Sequence, residues 1–122
     1  MKTKRPHFRF EGLEVWREAA SLAQHFHDVA GRLETRKLYR YAEQLRSAGL
    51  SLANNIAEGS GSDHNAEFRQ YLNIARRSCF EDASMLLVFE KMNLIESAEC
   101  TLLLNACDCL CRKLTRLRNT LR

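Results

Sequence analysis

The sequence predicts an all-α protein, an antiparallel up-down-up-down four-helix bundle. Three observations carry this. Helix breakers are scarce, with one proline (Pro6) and five glycines in 122 residues. Apolar residues recur at steps of three and four in four long segments, one face of an α-helix each time. The links between those segments are short, which forces successive helices to run antiparallel. The length reads as one domain, 1–122, with 1–9 as a basic N-terminal tail. A chain of this size buries roughly two-thirds of its unfolded surface, so a single core suffices.

The first segment runs from about Gly12 to Leu33. Trp16, Ala19, Ala23, Phe26, Ala30 and Leu33 mark its apolar stripe, widened by Leu13 and Ala20, and Gly31 weakens the last turn. The second runs from about Arg36 to Glu58, with Thr35 as its expected N-cap. Its stripe is Leu38, Tyr41, Leu45, Ala48 and Leu52, and the small residues Ala42, Ala48 and Gly49 invite close approach of a neighbour. The run from Gly59 to Asp63 is the strongest break in the chain.

Ser62 or Asp63 is the expected cap of a third helix, from about His64 to Met92, with Glu67 near the positive end of its dipole. Phe68, Tyr71, Leu72, Ala75, Cys79, Asp82/Ala83, Leu86 and Phe89 form its stripe. The fourth helix starts near Glu96 or Ser97. Cys100, Leu103, Cys107, Leu110, Leu114, Leu117 and Leu121 alternate steps of three and four without a miss, a seam of coiled-coil type.

The charge is unevenly placed. The stretches 1–9 and 112–122 together hold +9 with no acid, while 10–111 holds −5, giving the net +4. Basic ends on an acidic body attract phosphate, so Lys2, Lys4, Arg5, Arg9, Arg112, Lys113, Arg116 and Arg118 are the candidate nucleic-acid contacts. Charged ends that merely keep the protein in solution are the plainer alternative. No run approaches the ~18 apolar residues of a membrane span. Residues 1–10 lack the apolar stretch of a signal peptide, so a cytoplasmic protein with reduced thiols is expected.

Chemistry-bearing motifs are few. Cys107 and Cys111 share a helix face while Cys109 diverges, and Cys100 and Cys107 sit in the seam as small hydrophobes. Cys109 and Cys111 flank that seam. Structural zinc wants two separated ligand pairs, so no metal site is expected. There is no HExxH, no Glu-x-x-His pair and no phosphate-binding glycine loop followed by Lys-Ser/Thr. No cofactor or catalytic residue is assigned, and an enzyme is not expected. Arg46, Asn55, Glu58 and Glu81 interrupt the helical patterns and are expected to form a structural polar network, with Arg46 reaching Glu81 or Glu58.

Gln44-Leu45-Arg46-Ser47-Ala48 through Asn55-Ile56-Ala57-Glu58-Gly59 resembles the QLRRA…NIAEG signature of the bacterial four helix bundle proteins, also called ribosomal-RNA intervening-sequence proteins. Phe10-Glu11-Gly12-Leu13-Glu14-Val15-Trp16 is similar to that family's opening, and Glu67-Phe68-Arg69-Gln70-Tyr71-Leu72 to its third helix, over about residues 8–95 in all. Ser47 stands where the family often has a second arginine, Ala53 near its proline, Ser62 where a basic residue is common, and Arg77 where it has a glycine. The resemblance implies an antiparallel four-helix bundle, homopentameric assembly, and relatives that serve as nucleic-acid-binding accessory proteins of reverse transcriptases in diversity-generating elements. It implies no catalytic activity.

The expected function is therefore a non-enzymatic oligomeric protein that binds RNA or DNA through its basic ends. The alternative is a protein-interaction scaffold or accessory subunit with a protein partner. Leu50, Phe80, Leu87 and Val88 lie off the main stripes, and helices apolar on a second side call for sister copies.

Overall fold

The computed structural model describes residues 4–122. Four helices follow a single 3-10 turn at Arg9–Gly12: α1 (Glu14–Thr35), α2 (Tyr39–Ser60), α3 (Asn65–Lys91) and α4 (Ser97–Thr120). Each packs on its neighbour in sequence, and α1 meets α4 to close the bundle. The links of three to five residues leave room only for reversals. Cross-helix bonds confirm the antiparallel sense. Glu18 near the start of α1 meets Lys113 near the end of α4, and Arg32 near the end of α1 meets Glu99 at the start of α4.

Two reversals use the same device. Lys37 and Asn93 adopt left-handed φ values of 63° and 59°. After α1, the Lys37 N–H bonds to the Glu34 carbonyl and the Leu38 N–H to the Leu33 carbonyl; Asn93 and Leu94 repeat the pattern on Glu90 and Phe89 after α3. These are Schellman closures, which satisfy carbonyls that a helix end otherwise leaves open. Thr35 is the last residue of α1, not the cap of α2: its hydroxyl donates to its own helix, at the Arg32 carbonyl. Leu38 and His64 hold the N-cap positions of α2 and α3 without a side-chain cap, and Ser62 instead accepts the His64 N–H within the turn.

The core is built from the expected seams, with one rotation. α4 buries Cys100, Leu103, Cys107, Leu110 and Leu114, and leaves Leu117 and Leu121 half-buried. α3 buries Phe68, Leu72, Ala75, Cys79, Leu86 and Phe89. On α1 the centre of the bundle takes Val15, Ala19, Leu22, Phe26, Val29 and Leu33. Trp16, Ala20 and Ala23, expected to share the stripe, stand on its edge. The apolar arc of α1 is wider than one seam, and its larger aliphatic side chains take the deep positions. Trp16 is covered from outside by Phe10, with ring centroids 4.8 Å apart.

Small residues set the helix spacing where they were expected to, and in one place where they were not. A Cβ on Gly49 would lie 3.1 Å from the Phe26 ring and 3.3 Å from the Ala23 Cα, so α1 and α2 touch there. Gly59 does not break α2, which continues to Ser60. It is buried, and a Cβ there would lie 2.6 Å from the Tyr71 Cβ and 3.0 Å from the Phe68 ring. Its role is the close crossing of α2 on α3, not a turn.

The expected polar network does not form. Arg46 faces α1, where it pairs with Glu34 at 2.9 Å and donates to His27 Nδ1 at 3.1 Å. Asn55 bonds back to its own helix, at the Ser51 carbonyl (2.8 Å) and hydroxyl (3.2 Å). Glu58 and Glu81 are exposed. The reason is helical phase: Glu81 lies one position from Asp82, and the arc between them separates solvent from core. Asp82 is the acid turned inward, fully buried with neither oxygen hydrogen-bonded. Burial, then the neighbouring Cys107 and Glu81, push its carboxyl up to about 9, so it is neutral at physiological pH.

Candidate nucleic-acid interface

The antiparallel path brings both chain ends to one end of the bundle. Asn65, at the start of α3, donates to the Arg122 carbonyl, and Arg69 caps the end of α4 by donating to the carbonyls of Arg118 (3.0 Å) and Leu121 (2.7 Å). Arg9 reaches the same end from the N-terminal side, donating to the Ser60 carbonyl at 3.0 Å while its guanidinium lies 5.2 Å from the centre of the Phe68 ring. Two basic stretches separated by a hundred residues of sequence thus form one surface.

Their charges are not equally free. Lys2 lies outside the described residues. Lys4 and Arg116 are exposed, and none of the hydrogen bonds described engages their side chains. Arg5 forks onto both oxygens of Glu11 at 2.6 and 3.0 Å, and Glu11 also accepts the Phe8 N–H. Those contacts hold the Glu11 carboxyl down to about 2. Arg112 pairs with Asp108 one turn earlier, at 3.1 Å, with both side chains open to solvent. Arg118 donates to the Asn73 side chain at 3.2 Å.

Lys113 is committed elsewhere. It bridges Glu14 and Glu18 (2.5 Å to the latter), clamping α4 onto α1. The hydrogen bonds it donates to both glutamates raise the lysine's pKa, and the Glu14 carboxyl is lowered in return. Its charge is spent within the fold. Arg9 is likewise partly spent on the α2 terminus and on Phe68.

Two arginines that the terminal charge count passed over stand beside these residues, Arg69 at the end of α4 and Arg76 across from Arg112. Arg69 and Arg76 stand seven apart on α3, and Arg77 is exposed beside them. Arg76 and Arg112 line the same groove between α3 and α4. The signal for them was the seven-residue spacing on the flank of the Phe68–Ala75 seam.

Among the described residues no group of three or more His, Cys, Asp or Glu side chains is placed to hold a metal ion, and no helix is long and apolar enough to cross a membrane. Cys79, Cys100 and Cys107 are buried, Cys111 is half-buried and Cys109 is exposed. The Cys79 thiol donates to the Cys107 carbonyl at 3.2 Å and the Cys100 thiol to the Leu86 carbonyl at 3.5 Å. Burial pushes the Cys100 and Cys111 thiols up, which keeps them protonated.

Compared with known proteins, residues 11–116 match the family profile described as 23S rRNA-intervening sequence protein. A search of curated proteins finds no match.

Proposed function

Because the chain belongs to the 23S rRNA-intervening sequence protein family, we propose that it is a non-enzymatic RNA-binding protein that contacts phosphates through the basic end of its bundle. The observation that carries this reading is the convergence of both chain ends at one end of the bundle, with Lys4 and Arg116 exposed. Phosphate contacts of this kind are independent of sequence and release counterions, so affinity falls steeply with salt.

The reading includes self-association into a ring, with five copies as the stoichiometry implied by family resemblance. Leu50 on α2 and Leu87 and Val88 on α3 are exposed. On the α1–α2 side, Trp16, Ala20, Ala23, Leu50 and Ala53 line a groove of about 560 Å³. An apolar groove on one side and an apolar ridge on α3 at another are what a head-to-tail ring requires. A ring repeats the basic end in every copy, so weak phosphate contacts gain avidity.

Two measurements test the proposal. Light scattering should return a mass near five times the 14.1 kDa of one chain; a monomer refutes the assembly. RNA affinity should fall linearly on a log–log plot against salt; absence of binding at about 50 mM salt refutes the phosphate interface.

A further inference from the structure

The surface between α3 and α4 holds a groove of about 470 Å³, within the range of small-ligand sites. Ala83, Leu104 and three cysteines line it, together with Arg76 and Phe80 on α3 and Arg112 and the Asp108 carboxylate on α4. Phe80 is 60% exposed, unusual for a phenylalanine outside the core. The Arg76 guanidinium lies 5.2 Å from the centre of the Phe80 ring, and its Nε is buried without an acceptor.

We propose that this groove accepts an unpaired base of single-stranded RNA, stacked on the Phe80–Arg76 layer with its flanking phosphate on Arg112. The inference rests on the RNA-binding reading above and names the form of RNA recognised. Two features point to a nucleotide. An exposed aromatic ring paired with a guanidinium is a platform that every base can stack on. Arg112 is held only by the exposed Asp108, so a phosphate can take its place at little cost. The groove is also continuous with the basic end, since Arg116 follows Arg112 by one helical turn. A duplex keeps its bases stacked inward and presents none to the groove.

The test compares a labelled single-stranded oligoadenylate with duplex RNA of equal length, by fluorescence anisotropy, on the full chain and its Phe80→Ala and Phe80→Tyr variants. Stacking of one base is expected to make single-strand binding about tenfold weaker in Phe80→Ala. Phe80→Tyr should restore it, and duplex binding should be equal in all three. Unchanged single-strand affinity in Phe80→Ala, or equal loss on both probes, overturns the groove site and leaves the basic end standing. Light scattering on Phe80→Ala checks the other occupant: a drop in assembly mass assigns Phe80 to contact between copies and overturns the proposal. Adenosine monophosphate titrated into the isotope-labelled protein reads the groove apart from the basic end. Amide shifts around Ala83 and Leu104 support the site even where duplex binding is absent, and no shift at millimolar nucleotide overturns it.

Discussion

Replacing Asp82 by asparagine makes the neutral state of a buried carboxyl permanent while nearly preserving its shape, and the consequence for the pH dependence of stability is large. An aspartate in the unfolded chain titrates near 3.9, roughly the model-peptide value. In the folded protein burial holds this one near 9. Between those values the folded state binds one more proton than the unfolded state, so stability falls as pH rises. The slope is about 1.4 kcal/mol per pH unit, or roughly 4 kcal/mol between pH 5 and 8. That is a large part of the 5–15 kcal/mol typical of a domain, as an order of magnitude. Asp82→Asn removes this slope and keeps the polar volume. Urea unfolding of both proteins at pH 5, 6.5 and 8 should show similar midpoints at pH 5 and a widening advantage for the variant above it. Parallel curves across that range would refute the assignment of Asp82 as a neutral buried acid. The acid limb is separate. Glu11, Glu14 and Glu34 are held below the ordinary glutamate range by Arg5, Lys113 and Arg46 respectively. Their contribution is present above that range and is lost as pH falls, in wild type and variant alike.

Gly59→Ala gains about 1 kcal/mol of helix propensity but drives a methyl group into the Tyr71 Cβ. Overpacking of this kind costs about 1–3 kcal/mol, so a net loss is expected in thermal or urea unfolding; a stabilised variant would show that α2 and α3 do not cross closely there. Lys37→Gly relieves a left-handed backbone at a helix end and should stabilise by about 1 kcal/mol in the same assay. Arg116→Gln should lower the slope of log affinity for RNA against log salt by about one. Lys113→Gln should leave that slope unchanged while destabilising the α1–α4 contact, because its charge is already paired with Glu14 and Glu18.

Local chemistry was enough to place four helices. The seam from Cys100 to Leu114 and the stripe from Phe68 to Phe89 are buried as their spacing dictates, because a helix has only one way to line up residues three and four apart. Family kinship was legible in the stretch ending at Gly59, although the reason for that glycine was not: only the crossing of α3 shows that its missing Cβ makes room for Tyr71. Which of two overlapping apolar arcs on α1 faces the centre was also decided by packing, and it moved Trp16 to the edge. The same holds for the polar residues. Arg46, Asn55, Glu58 and Glu81 broke the patterns in sequence, yet their partners depend on helix rotation; Asp82 stood in the α3 stripe by its spacing and is the acid that is buried. For the interface, the sequence alone determined that the two ends are basic. Only the tertiary structure brought them together, spent Lys113 on a clamp, and added Arg69 and Arg76, because charge is counted along a chain but its availability is set by neighbours in space.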